Sequence, residues 1–155
     1  MKGIIMSSET EIVQNKKARF EYEILDTIEA GIVLKGTEVK SVRLKKVNIQ
    51  DAYARIKDGE AFLYGMNISP YESGNIFNHD PLRVRKLLLH KQEIKRLTGK
   101  QQEKGLTLVP LKVYWKNGKV KVLLGLAKGK TLYDKRHDIK KRDSDRELQR
   151  YKRMR

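Results

Sequence analysis

Asn117 and Gly118 stand between two strand-like runs, residues 106–115 and 119–126. Both residue types tolerate the positive φ that a two-residue type I′ hairpin turn demands, so the pair predicts antiparallel strands joined tightly. In the second run Val120, Val122 and Leu124 alternate with Lys119, Lys121 and Leu123. One face therefore belongs to a core and the other carries much of the positive charge. Asp58–Gly59 repeats the device between residues 49–56 and 61–68.

The rest of the chain reads around these hairpins. Phe20, Tyr22 and Ile24 alternate with Arg19, Glu21 and Glu23, which predicts a half-buried strand from Ala18 onward. Ala30–Gly31 reads as a bend, after which residues 32–34 resume as a second strand. Thr37 precedes Val39, Val42 and Leu44 and suits the N-cap of a short helix. Residues 71–79 read as a loop closed by Asp80–Pro81. Residues 83–89 read as a strand rather than a helical turn, because His90 with Glu93 looks like a fresh helix start. That helix, carrying Ile94 and Leu97, is expected to stop by Gly99. Six short strands and two helices over residues 18–128 predict a mainly β chain: a small antiparallel barrel with two or three short flanking helices. Residues 1–14 show no period and read as a mobile terminus, leaving 15–130 as the barrel domain.

Residues 131–155 differ in kind. They hold ten Lys/Arg, five Asp/Glu (10 − 5 = +5) and six large apolar residues. Such a segment buries too little to offset its ordering entropy and is expected to be disordered alone. Yet Arg142, Arg146, Arg150 and Arg153 would share one helical face, so an anionic surface would favour a helix.

Charge narrows the partners. Lys plus Arg exceed Asp plus Glu by 35 − 19 = 16. Nucleic acid, a membrane surface or an acidic protein would each answer that charge. The basic tail lacks the apolar face a membrane helix needs, and 18 apolar residues nowhere run together, so nucleic acid leads. The absence of cysteine excludes thiol nucleophiles and cysteine-held metals. Residues 1–6 contain too little apolar material for a secretory signal, so the chain is expected in the cytoplasm.

Catalytic material is sparse. His79, His90 and His137 are scattered across loop, helix start and tail, and none has a metal-ligand spacing with a second ligand. GLAKGK at 125–130 lacks the spacing of a phosphate-binding loop. No metal, cofactor or small-molecule substrate is expected. Lys119, Lys121, Lys128 and Lys130 lie on or just after the final strand, and as a cluster they suit phosphate contacts. Glu29 is either an ordinary surface charge or, inside a basic face, an acceptor for guanine N1/N2, for cytosine N4 or for a neighbouring Lys or Arg. Tyr133, beside Lys130, Lys135 and Arg136, suits base stacking.

Several segments together resemble one family. They are NKKARFEY (15–22), EAGI (29–32), KGTEVKSVR (35–43), DPLRVRKLLLH (80–90), GLTLVPL (105–111) and VLLGLAKGKTLYDKR (122–136). In this order and spacing they are similar to small protein B, the tmRNA-binding (SsrA-binding) family of bacteria. The resemblance implies an oligonucleotide-binding (OB-fold) barrel that binds the tRNA-like domain of tmRNA. It implies delivery to stalled ribosomes for trans-translation, with the tail in the empty decoding site and mRNA channel. Carried over residue by residue, the implied tmRNA-binding positions are Asn15, Phe20, Glu29, Leu88, Lys121, Lys128 and Lys130. The implied decoding-centre positions are Tyr133, Asp134, Lys135 and Arg136. Leu88 is expected to shape the surface by packing, and residues 37–43 to be mainly structural. The sequence departs from the family at Phe20, where many members have histidine, at Thr131, often basic, and at Tyr133, where histidine is also seen. A basic barrel of this size also fits an intrinsic ribosomal protein, while a nuclease or RNA-modifying enzyme would need a catalytic Glu or His that no constellation identifies.

Overall fold

Asn117 (φ 52°) and Gly118 (φ 73°) both lie in the left-handed region, and they join β8 (Leu106–Lys116) to β9 (Lys119–Gly129). Asp58 (φ 52°) and Gly59 (φ 75°) do the same for β4 (Tyr53–Lys57) and β5 (Glu60–Tyr64). Both hairpins follow the turn chemistry of the sequence. The computed structural model describes residues 9–71, 78–103 and 105–129.

The other elements are β1 (Glu9–Gln14), α1 (Lys16–Glu21), β2 (Tyr22–Ile32), α2 (Gly36–Arg43), β3 (Val47–Asn48), β6 (Asn67–Ile68), β7 (Arg85–Leu88) and α3 (Lys91–Gln101). Antiparallel pairings run β8–β4, β4–β5, β5–β7, β7–β2, β2–β9 and β9–β8, so the strands close on themselves as a barrel. Closure removes the exposed edges that an open sheet would leave. β3 and β6 form a separate two-stranded ladder. Ala30, Leu63, Val113, Val122 and Leu124 are fully buried in the core. A smaller cluster outside it packs Ala18 of α1 on Val109, Leu111 and Ala127.

Several expectations are corrected. Residues 9–14 are not part of a mobile terminus: β1 pairs with the Lys112–Lys116 half of β8. Two apolar residues, Ile12 and Val13, were too few to show a period. Residues 16–21 are helical rather than extended. Asn15 Oδ1 accepts the Ala18 N–H at 3.0 Å, and this local cap overrides an alternation that runs across the helix end into β2. β2 continues through Ala30–Gly31, paired to β9 as far as Gly31↔Lys121, and its irregularity falls instead between Ile24 and Asp26. α3 passes Gly99 to Gln101. Gln101 explains the extension: its side chain accepts the Ile56 N–H (2.8 Å) and donates to the Ile56 carbonyl (3.1 Å). β4 meets β8 at the single pair Ala54↔Leu108, so this amide satisfies β4 backbone where a neighbouring strand has turned away.

Residues 83–89 do contain a strand, β7, and Glu93 does reach back to the His90 N–H at 2.9 Å. The helix predicted after Gly36 is α2, but its N-terminus is held by Glu38 rather than Thr37: Glu38 Oε1 accepts the Lys35 N–H at 2.7 Å. Glu38 is also fully buried and accepts from Arg83 Nη2 (2.6 Å) and Arg85 Nε (2.6 Å). Burial opposes its charge, but the bonds from Arg83, Lys35 and Arg85 outweigh that and hold the carboxyl below its ordinary range. Arg85, itself fully buried, donates onward to the Met66 and Pro81 carbonyls. The charged residues of α2 and β7 thus tie three segments together.

Candidate nucleic-acid interface

β2 and β8 both flank β9, so side chains from all three strands meet on the outer barrel surface. The pairing Gly31↔Lys121↔Tyr114 runs across them, with Glu29 two residues back on β2. β7 lies on the far side of β2, pairing Gly31↔Leu88. A groove of ≈ 740 Å³ opens along this line, and Glu29, Gly31, Leu88, Trp115, Lys119 and Lys121 are among its lining residues.

Glu29 is the anchored member. Tyr114, nearly fully buried, donates its hydroxyl to Glu29 Oε2, and Lys116 Nζ lies 3.2 Å from the same oxygen. The Tyr114 bond, then Lys116 and the nearby Lys121 charge, hold the Glu29 carboxyl below its ordinary value against a smaller opposing effect of burial. Burial and then the Glu29 bond drive the Tyr114 hydroxyl pKa up, so at neutral pH it remains a donor. Oε1 has a single long contact, 3.4 Å to Lys116. The carboxylate therefore lines the groove as an ionised acceptor beside cationic lysines. Among groups an RNA can offer, a base N–H fits that acceptor and a phosphate does not.

Gly31 matters through its missing side chain. A Cβ there would come within 3.2 Å of Leu88 Cβ, closer than side chains normally approach. Leu88 thus packs on Gly31 as expected, yet is 52% exposed, leaving an apolar wall facing the groove. Trp115 lies on another wall with the Arg43 guanidinium 5.4 Å from its ring centroid.

Of the expected RNA contacts, the fold brings together Glu29, Leu88 and Lys121. Lys128 lies seven residues further along β9, roughly 23 Å at about 3.3 Å per residue. Phe20 is half-buried on α1. Asn15 is corrected from surface contact to internal brace. It is 1% exposed, and besides capping α1 it donates to the Ile49 (3.0 Å) and Pro110 (2.9 Å) carbonyls. Both of its amide hydrogens are spent on those carbonyls and its oxygen caps α1, so it serves the surface by fixing that helix. Lys130, Tyr133, Asp134, Lys135 and Arg136 lie outside the described residues. Sequence reasoning missed Tyr114, Lys116 and Trp115, because it placed them in a strand without fixing which strand lay across from it.

His79 belongs to the interior. It is 4% exposed, with Nε2 2.8 Å from the Ile68 carbonyl and Nδ1 2.8 Å from the Thr37 hydroxyl. A carbonyl only accepts, so Nε2 carries a hydrogen, and the Thr37 hydroxyl, able to donate or accept, is the partner of Nδ1. Among the described residues, no group of three His, Cys, Asp or Glu is placed to hold a metal, and no helix is long and apolar enough to cross a membrane.

The model of the SmpB protein family matches residues 12–154. The chain belongs to that family. An SsrA-binding protein of Acetivibrio thermocellus is 67% identical over 139 residues, covering 90% of each chain. One from Enterococcus faecalis is 62% identical over the same length and coverage. Among solved structures, a chain from "tmRNA-SmpB: a journey to the center of the bacterial ribosome" is similar at a TM-score of 0.66 and 58% identity. The match covers 77% of this chain and 85% of that one. The family's segments EAGI and KLLLH are those that supply Glu29, Gly31 and Leu88 to the groove. The closed strand order agrees with the antiparallel barrel expected from the hairpins and is compatible with the OB type that the resemblance implied.

Proposed function

We propose that the chain binds the tRNA-like domain of tmRNA and brings it to stalled ribosomes for trans-translation. One observation carries the site: Glu29, Leu88 and Lys121, distant in sequence, line one groove in a strongly basic protein. Membership of a family whose members are SsrA-binding proteins supplies the identity of the RNA. In this reading Lys119 and Lys121 neutralise phosphates, Leu88 and Trp115 give apolar contact to an unpaired base, and Glu29 reads a base N–H. Lys128 on β9 and Phe20 on α1 extend the contact, and Lys130 adds a further phosphate contact. Residues 131–155, with Tyr133, Asp134, Lys135 and Arg136 at their start, enter the vacant decoding site and become helical against ribosomal RNA. The protein works by binding and positioning, without covalent chemistry, in the cytoplasm.

The test is a competition assay at near-physiological salt. Labelled tRNA-like domain of tmRNA is bound and challenged with excess unrelated structured RNA of equal length. Failure of the unrelated RNA to compete is the expected result. Equal competition would reduce the binding to its charge and contradict the assignment.

A further inference from the structure

The seam between β4 and β8 has chemistry that the Glu29 groove does not share. Because these strands meet at the single pair Ala54↔Leu108, hollows of ≈ 320 and ≈ 580 Å³ open on either side, and Tyr53, Arg55 and Thr107 line both. Tyr53 and Tyr64 face each other across the β4–β5 ladder with ring centroids 5.3 Å apart and planes 12° from parallel. The Arg55 guanidinium stands 5.5 Å from the Tyr53 centroid. Two stacked rings with a guanidinium beside them therefore gather on the hairpin, and Tyr53 is 39% exposed despite its aromatic area.

Charge assigns a direction to this seam. The larger hollow is lined by Arg55 and Lys57 and by no carboxylate. The smaller one includes Glu21 and Asp51, of which Asp51 is paired to Lys17 at 2.9 Å. A ligand with an anionic backbone is accommodated on the Arg55–Lys57 side and disfavoured on the other. A flat ring joined to a phosphate matches both the exposed tyrosine and the cations: the ring packs on Tyr53 within this cluster and the phosphate meets Arg55 and Lys57. A duplex hides its ring faces and cannot use the stack.

We propose that the β4–β8 seam is a second RNA site, one that takes unpaired ribonucleotides by stacking on Tyr53, Tyr64 and Arg55. It does not depend on the Glu29 groove, with which it shares no lining residue.

The experiment uses the full chain and a labelled, unstructured, adenosine-containing oligoribonucleotide, followed by fluorescence anisotropy with the Glu29 groove saturated by unlabelled tRNA-like RNA. Tyr53→Ala leaves net charge unchanged and should weaken the oligonucleotide about five- to 150-fold, the range expected for one lost stacking partner. Tyr53→Phe should restore it, Arg55→Gln should weaken it, and a duplex of the same sequence should bind less well than the single strand. Binding of the tRNA-like RNA should be the same in Tyr53→Ala as in the parent, which also reports an intact barrel. The proposal is overturned if the oligonucleotide does not bind, if Tyr53→Ala binds it as the parent does, if the duplex binds equally, or if Glu29→Ala alone abolishes the binding.

Discussion

Tyr114 and Glu29 sit on strands that do not pair with each other. β9 lies between them, yet the tyrosine hydroxyl reaches over it to the carboxylate. The Glu29 carboxylate is thereby fixed in place and kept ionised among lysines.

This coupling predicts a pH response. The folded-state pKa of Glu29 lies below its unfolded reference of 4.5, so the bond contributes stability above pH 4.5 and loses it as pH falls through the folded value. The Glu29-dependent part of RNA binding should accordingly be constant between neutral and mildly acidic pH. Tyr114→Phe removes the largest cause of the depression, and carboxyl NMR titration should show the Glu29 midpoint moving upward. An unmoved midpoint would show that Tyr114 does not hold the charge.

Glu38 and Arg85 are both fully buried. Removing one partner strands the other's charge, so Glu38→Gln should cost about 3–5 kcal/mol in urea unfolding. Because Glu29 and Lys121 stand on β2 and β9, outside the ion pair's own elements, the loss should be read in stability first. A change below about 1 kcal/mol would contradict the account of α2 and β7 as ionically tied.

Asn15→Ala removes a helix cap and leaves the Ile49 and Pro110 carbonyls without their donor. A thermal or urea melt should show a loss of about 1–3 kcal/mol. Unchanged stability, with RNA binding reduced, would return Asn15 to the surface role that the sequence resemblance implied.

Truncation after Lys130 should leave the dependence of tRNA-like RNA affinity on salt nearly unchanged, because in this account the tail's ten basic residues contact ribosomal RNA instead. Tagging of stalled chains in a reconstituted translation system should stop. Tagging by the truncated protein would remove the tail from the mechanism.

The hairpins were legible because Asn117–Gly118 and Asp58–Gly59 dictate their own backbone, and a closed barrel follows from strands of that length and patterning. What escaped were features made by side chains standing in for backbone. Asn15 bridges α1 to two carbonyls, and Gln101 completes β4 where β8 departs. Neither has a local period, since each depends on which chain ends come close in three dimensions. The same holds for the site. Glu29, Leu88 and Lys121 were marked by family resemblance, but Tyr114 could be recognised as Glu29's partner only once the β2–β9–β8 register was known. Phe20, Tyr22 and Ile24 show the converse error, a period-2 pattern that crossed the boundary between a capped helix and a strand.

The central claim is that Glu29 reads a base from within a basic groove. The direct measurement is the affinity of Glu29→Gln for the tRNA-like domain of tmRNA at near-physiological salt. The substitution raises the protein's positive charge, so a purely electrostatic surface would bind more tightly. The account predicts binding weaker by about ten-fold, the loss of one charged acceptor at a base edge. Equal or tighter binding would contradict it and return Glu29 to the status of an ordinary surface charge.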